Sequence, residues 1–265
     1  MIKLVATDID GTILIPEKQF TKGVKNCIKR LREFGVKVVL VTGRMNAAAE
    51  LVAKELNLDT PVISYQGGLV KENGKVLYER YLTEDESEKI INWAKSENIH
   101  INLYNGDILY SENDNYEIQR YSRRQNVNYV VKPFSEIKKE RVNKILAIDY
   151  NNATRINKFE QELPKEFPDL YIVKSTPHFL EFSNPEASKY CAVKFLQDYW
   201  NIKEEETLTI GDQNNDIALL EAGGLKIAMG NATDSLKFVA NYITDSVEND
   251  GFVKAMDEFV LKPAI

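Results

Sequence analysis

The run Ile2-Lys3-Leu4-Val5-Ala6-Thr7-Asp8-Ile9-Asp10-Gly11-Thr12 anchors the whole chain. Its apolar first half, residues 2–6, predicts a buried strand. Asp10-Gly11 marks a sharp turn at the end of that strand. Two carboxylates two residues apart project to the same side while the chain is still extended. Like charges placed together repel unless a cation or a proton offsets them. The pattern therefore points to a site for a hard divalent cation such as Mg²⁺, which binds through one or two carboxylates plus substrate phosphate oxygens. The alternative is a capping Asp8 and a turn Asp10 without chemistry.

Outward from this run the chain alternates strand and helix. Thr21 stands as a helix N-cap before Val24, Cys27, Ile28 and Leu31 at i, i+3, i+4, i+7 spacing, and Gly35 stands where the helix stops. Residues 36–41 form a second apolar strand that ends in Thr42-Gly43-Arg44. A stripe of Met45, Ala48, Ala49, Val52 and Leu56 predicts the next helix, and residues 61–64 a short third strand. This order predicts a Rossmann-like α/β core with a parallel sheet.

Near residue 70 the pattern changes to half-polar strands, a helix over 84–97 and denser charge. Residues 82–186 are expected to form a separate α+β domain inserted into a discontinuous core of residues 1–81 and 187–265. Strands are predicted at 75–81, 100–104, 107–111, 145–150 and 170–173, with helices at 115–124 and 153–166. The parallel pattern then returns. A stripe of Ala192, Phe195, Leu196 and Tyr199 predicts a helix, residues 207–210 a strand, and Gly211-Asp212-Gln213-Asn214-Asn215-Asp216 the turn after it.

Composition narrows the class. The chain has 265 residues, 43% apolar and 28% charged, and a net charge of −6, which argues against nucleic acid as the main partner. Its two cysteines, Cys27 and Cys191, fall on predicted apolar helix faces and read as reduced thiols. No signal-peptide pattern and no membrane-length apolar stretch is seen, so a cytoplasmic protein without membrane partners is expected.

Asp8/Asp10, Thr42-Gly43 and Asp212/Asn215/Asp216 each follow the C-terminal end of a predicted parallel strand. Those ends share one edge of the sheet, where open α/β sheets bind their ligands. The three clusters should therefore converge from some 200 residues apart. Each also has a plainer use: Thr42 as a helix N-cap, Asp212 and Asp216 as caps, Asn215 as a turn residue. The assembled groups lack a Ser or Cys nucleophile paired with histidine, since His100 and His178 both lie in the insert. No G-x-G-x-x-G or G-x-x-x-x-G-K-[ST] follows a strand. What remains fits a carboxylate nucleophile in phosphoryl transfer.

Asp8-Ile9-Asp10-Gly11-Thr12, Val41-Thr42-Gly43-Arg44, Lys189 before an apolar helix, and Gly211-Asp212 with Asn215-Asp216, in that order, resemble the haloacid dehalogenase superfamily. The arrangement is similar to its Cof-type branch with a type IIB cap, and the resemblance spans nearly the whole chain. It implies a Mg²⁺-dependent phosphomonoester hydrolase that forms an aspartyl phosphate. Asp8 would be the nucleophile and a metal ligand. Asp10 would be the general acid and base, lending its backbone carbonyl to the metal. Thr42, Gly43, Lys189 and Asn215 would hold the phosphoryl group, Asp212 would ligate Mg²⁺, and Asp216 would stand behind it, orienting the metal shell or Lys189. The substrate would be a small phosphorylated metabolite, such as a sugar phosphate, pyridoxal phosphate or a nucleotide. The protein would be a monomer or weak homodimer. Rival readings are a phosphomutase and a phospho-acceptor regulatory module.

Two positions depart from the branch. Gln66 stands before Gly67 where asparagine is usual, and Tyr190 follows Lys189 where glycine often does. Substrate choice should reside in the insert. Arg120, Arg123 and Arg124 beside Tyr121, together with His178 and Arg44, are candidates for substrate contact or for ordinary surface roles.

Overall fold

In the computed structural model, which describes residues 1–15 and 19–262, β1 (Leu4–Thr7) lies inside a parallel sheet and is buried at every residue. Burial on both faces is why it reads as an apolar run and not as an alternation. α1 (Lys22–Glu33) starts where the Val24 amide donates to the Thr21 hydroxyl at 3.1 Å, and it buries Val24, Cys27, Ile28 and Leu31. β2 (Lys37–Leu40), α2 (Asn46–Glu55) and β3 (Val62–Ser64) follow as expected. A further strand, β4 (Leu69–Glu72), pairs antiparallel with β3 and with β5 (Lys75–Glu79). Its sequence, Leu-Val-Lys-Glu, offers neither an alternation nor a run, so its pairing comes from its neighbours.

The inserted segment contributes α3 (Glu84–Ser96), β6 (His100–Asn105), β7 (Ile108–Ser111), α4 (Tyr116–Gln125), β8 (Val130–Val131), β9 (Val142–Ile148), α5 (Ala153–Glu166), β10 (Tyr171–Thr176) and β11 (Phe179–Ser183). The six strands form one sheet in the order β10-β11-β9-β6-β7-β8, antiparallel except for the last pair. β8 and β11 were not anticipated. β11, Phe-Leu-Glu-Phe-Ser, carries a charge in the middle of an otherwise apolar strand, yet all five residues are buried. Ile101 and Leu103 of β6 join Trp93, Phe159 and Phe182 in a core on one side of this sheet. Tyr104, one residue on, faces the other way, as the period of two requires.

The chain returns through α6 (Lys189–Trp200), β12 (Thr207–Gly211), α7 (Ile217–Glu221), β13 (Leu225–Ala228), α8 (Asp234–Val239), β14 (Tyr242–Ile243) and α9 (Gly251–Phe259). The predicted stripe on α6 is displaced. Tyr199 is 52% exposed and Phe195 and Cys191 are only partly covered, while Lys189, Val193 and Gln197 are buried. The inward face of this helix carries two polar residues, which a count of apolar residues does not register. Cys27 is buried as expected, and both thiols are free.

The parallel sheet runs β14-β13-β12-β1-β2, and a bridge from Val41 to Ile63 adds β3 beyond β2. From β1 the chain steps outward to β2 and β3, then returns on the opposite side through β12, β13 and β14. The order therefore reverses at β1, and the crevice above the β1–β12 junction is where such a sheet takes a ligand. A third apolar cluster joins Met45, Tyr65 and Leu69 to Tyr104, Tyr121 and Phe179 of the insert, seating the insert over that edge. Among the described residues no helix is long and apolar enough to cross a membrane.

Candidate active site

β1, β2 and β12 are adjacent, so the loops that leave their ends meet. The Asp8 amide donates to Ile210 O at 3.0 Å and the Val41 amide to Thr7 O at 2.9 Å, which locks the three strand ends in register. After Asp8 the chain turns at once. Gly11 has φ +86, and a Cβ there would lie 2.3 Å from Asp212 Oδ2, so the turn and the neighbouring carboxylate both require glycine.

Lys189 is the buried hub. Its Nζ donates to Asp8 Oδ1 at 2.7 Å and to Asp216 Oδ1 at 2.6 Å, with no exposed surface. Ser188 caps α6 through the Cys191 amide at 3.2 Å, which leaves Lys189 in the first turn. Burial and the helix dipole both disfavour a cation there. Burial acts to lower the Lys189 pKa, but the Asp216 and Asp8 carboxylates outweigh it and hold the ammonium above its ordinary value. Asp216 stands at the N-cap position of α7, but its side chain makes no cap hydrogen bond to that helix. Its Oδ2 accepts from the Asp212 and Gln213 amides at 2.9 and 3.0 Å, so it braces the loop and the lysine together.

Carboxylate oxygens of Asp8, Asp212 and Asp216 lie within 4.8 Å of one another. Asp212 accepts from Thr12 Oγ1 at 3.0 Å and from Gln213 Nε2 at 2.9 Å. Burial raises the Asp8 carboxyl well above the usual range, against the pull of Lys189, with Asp216 and Asp212 adding repulsion. Burial and Asp216 likewise push Asp212 up to about 7. Three buried carboxylates face one ammonium, which leaves two negative charges uncompensated. That deficit, and a donor set made of oxygen alone, fit one hard divalent cation.

Asp10 is placed otherwise than its spacing predicts. The strand ends at Thr7, so Asp8 and Asp10 do not lie on one extended segment, and the Asp10 carboxylate is outside the cluster. Both of its oxygens accept from Arg44, Nε at 2.7 Å and Nη2 at 2.6 Å. Arg44 is thus neither a free surface charge nor a free substrate ligand. Thr42 is buried, and its hydroxyl accepts from the Arg44 amide at 3.2 Å; it does not cap α2, whose N-cap is Met45.

Asn215 Nδ2 donates to Gln66 Oε1 at 3.1 Å. Tyr65 and Gln66 both hold positive φ, 52° and 59°, at a cost of about 1–3 kcal/mol each that persists only where the surroundings impose it. Two hydrogen bonds do so: Tyr65 N to Arg44 O at 3.0 Å and Gln66 N to Thr42 O at 3.1 Å. Above these groups opens a cavity of about 350 Å³, walled by the core loops and by Tyr121, Arg124, Lys144, His178 and Glu181 of the insert.

The basic cluster divides. Arg124 and His178 line the cavity, whereas Arg120 lies 4.2 Å over the Tyr150 ring and Arg123 donates back to Gln119 O. Lys144 and Glu181 were missed. The signal was present as opposite charges inside two apolar strands, but only the β9–β11 register shows that they are diagonal neighbours.

This arrangement matches known proteins over nearly its full length. Residues 5–256 match the haloacid dehalogenase-like hydrolase family, and the chain belongs to it. It is 28% identical to phosphatase YwpJ of Bacillus subtilis, over 96% of this chain and 99% of that protein. It is 26% identical to YitU of the same organism, a 5-amino-6-(5-phospho-D-ribitylamino)uracil phosphatase, over 97% of each. The fold superposes with a TM-score of 0.86 on the subclass IIB sugar phosphatase BT4131, at 22% identity over 98% of this chain and 100% of that one. The protein is a Cof-type phosphatase of this family, and its fold, inserted domain included, is that of the subclass IIB structure.

Proposed function

We propose that the chain is a Mg²⁺-dependent phosphomonoester hydrolase that works through an aspartyl phosphate on Asp8 and acts on small phosphorylated metabolites. The observation that carries this reading is Asp8 itself. One of its oxygens is held by Lys189 at 2.7 Å, and Asp8 lines a cavity that the cap walls on one side. Asp8, Asp212 and the Asp10 carbonyl would hold the ion. Bound there, it would offset the repulsion between the attacking carboxylate and a phosphate dianion.

Asp8 attacks phosphorus, and the bond to the leaving oxygen breaks. Asp10 gives that oxygen its proton, then takes one from the water that attacks phosphorus and frees Asp8 and inorganic phosphate. Because Arg44 holds both Asp10 oxygens, protonating a leaving group requires Arg44 to release one of them. Thr42, the Gly43 amide, Asn215 and Lys189 hold the phosphoryl oxygens. Asp216 keeps Lys189 in place.

We place the divide between core and cap near residues 81/82 and 186/187, where Asn184 Nδ2 donates to Tyr81 O at 3.1 Å and the two connections lie side by side. The cavity of about 350 Å³ is of a size that takes a small metabolite. The test is phosphate release from a panel of sugar phosphates, nucleotides, pyridoxal phosphate and 5-amino-6-(5-phospho-D-ribitylamino)uracil. Turnover that needs Mg²⁺ and vanishes in Asp8→Asn is the expected result. Stable labelling of Asp8 without turnover, or isomerisation of a hexose phosphate in place of hydrolysis, overturns it.

A further inference from the structure

We propose that Gln66 is a positioning residue through which a buried ion pair of the cap sets the orientation of the Asn215 amide. The inference rests on the reading above in one respect, that Asn215 contacts the phosphoryl group.

Four buried side chains run from cap to core. Lys144 Nζ meets Glu181 Oε2 at 2.5 Å, with both side chains almost wholly covered. Gln66 Nε2 donates to Glu181 Oε1 at 2.7 Å. Asn215 Nδ2 donates to Gln66 Oε1. Lys144 Nζ also donates to Gly43 O at 2.5 Å and lies 4.9 Å from the Tyr104 ring centroid. The cap therefore reaches two phosphate-side elements at once, the Gly43 peptide and the Asn215 amide.

The polarity of this line allows one arrangement. An ionised carboxylate only accepts hydrogen bonds, and an amide accepts at one end and donates at the other. Glu181, paired with Lys144, must receive the NH₂ end of Gln66. The carbonyl end of Gln66 then faces Asn215, which must answer with its own NH₂ end. A second N–H of that group remains for a phosphoryl oxygen. A flipped Asn215 would set carbonyl against carbonyl at Gln66.

Two further observations support the assignment. A Cβ on Gly43 would lie 2.4 Å from Gln66 Nε2 and 3.2 Å from Glu181 Oε1, so the line fills the space that glycine leaves open. Asn215 Oδ1 is buried without a hydrogen-bond partner, so the amide is held in an orientation that does not satisfy its own carbonyl.

The experiment measures KM and kcat for the best panel ester, and binding of inorganic phosphate to the Mg²⁺-loaded full-length protein by calorimetry. It compares wild type, Gln66→Met, Asn215→Ala and the double variant. Gln66→Met should raise KM and the phosphate Kd about tenfold, the loss of one oriented hydrogen bond to a charged group, with kcat little changed. In the Asn215→Ala background the same change should add almost nothing. Equal effects of Gln66→Met with and without Asn215 overturn the relay and leave the hydrolase reading intact. Unchanged KM and Kd in Asn215→Ala overturn it at its base, and no turnover in wild type means that the function itself was misread. Should Gln66→Met not fold, Lys144→Met/Glu181→Leu removes the source of the polarity without stranding a charge, and should raise the same two quantities.

Discussion

Two groups of buried charge lie a few residues apart in space, and they are built to opposite rules. In the core, Asp8, Asp212 and Asp216 surround Lys189 alone, and negative charge is left in excess. In the cap, Lys144 and Glu181 balance one for one, and both continue into amides and a carbonyl of the core. Taking a charge out of water costs several kcal/mol, and a buried pair recovers that cost only when its remaining donors and acceptors are met. The cap pair is met within the protein. The core cluster is not, and its surplus of negative charge fits a place that takes a cation. Balance marks a joint, and imbalance marks a site.

The strongest way to break this contrast is at Asp8. Asp8→Asn should lower hydrolysis by about 10⁴-fold or more, yet melt no earlier than wild type in chelator, because it removes one of the surplus charges. Early melting, with activity retained, would end the comparison.

Lys189→Met attacks the same cluster from the other sign. It strands two buried carboxylates and should cost about 3–5 kcal/mol in chelator at neutral pH, along with most of the activity. A denaturant titration that finds less than about 1 kcal/mol would mean that the carboxylates are already neutralised by protons.

In the cap, Lys144→Met should be costly for the same reason, about 3–5 kcal/mol, whereas Lys144→Met/Glu181→Leu should be close to neutral in stability. If the double variant is as unstable as the single, the pair does more than hold a joint.

The smallest effect is in pH. Burial and mutual repulsion raise the Asp8 and Asp212 carboxyls, so as pH falls each takes up its proton in the folded metal-free protein before it does in the unfolded chain. Stability in chelator should therefore fall as pH rises, from near the ordinary carboxylate value of 3.8 up to about 7 for Asp212. Added Mg²⁺ should raise the melting temperature more at pH 7.5 than at pH 5. A melting temperature that climbs with pH in chelator contradicts the charge deficit.

Much of the core was legible in the residues. Buried parallel strands are continuous apolar runs, and the ends of such strands share an edge, so Asp8, Thr42 and Asp212 could be brought together before any coordinates. Lys189 is singled out by the motif order that resembles the family, as a lysine before an apolar helix. Pairing and polarity could not be read in the same way. That Asp10 turns to Arg44, that α6 buries Gln197 and exposes Tyr199, and that β11 exists at all depend on partners distant in sequence. Glu181 in a strand reads as a fault until Lys144 lies diagonally across from it. A local pattern records which residues avoid water. The choice of partner for each buried charge is a matter of distance and hydrogen-bond direction, and those exist only once the cap is seated on the core.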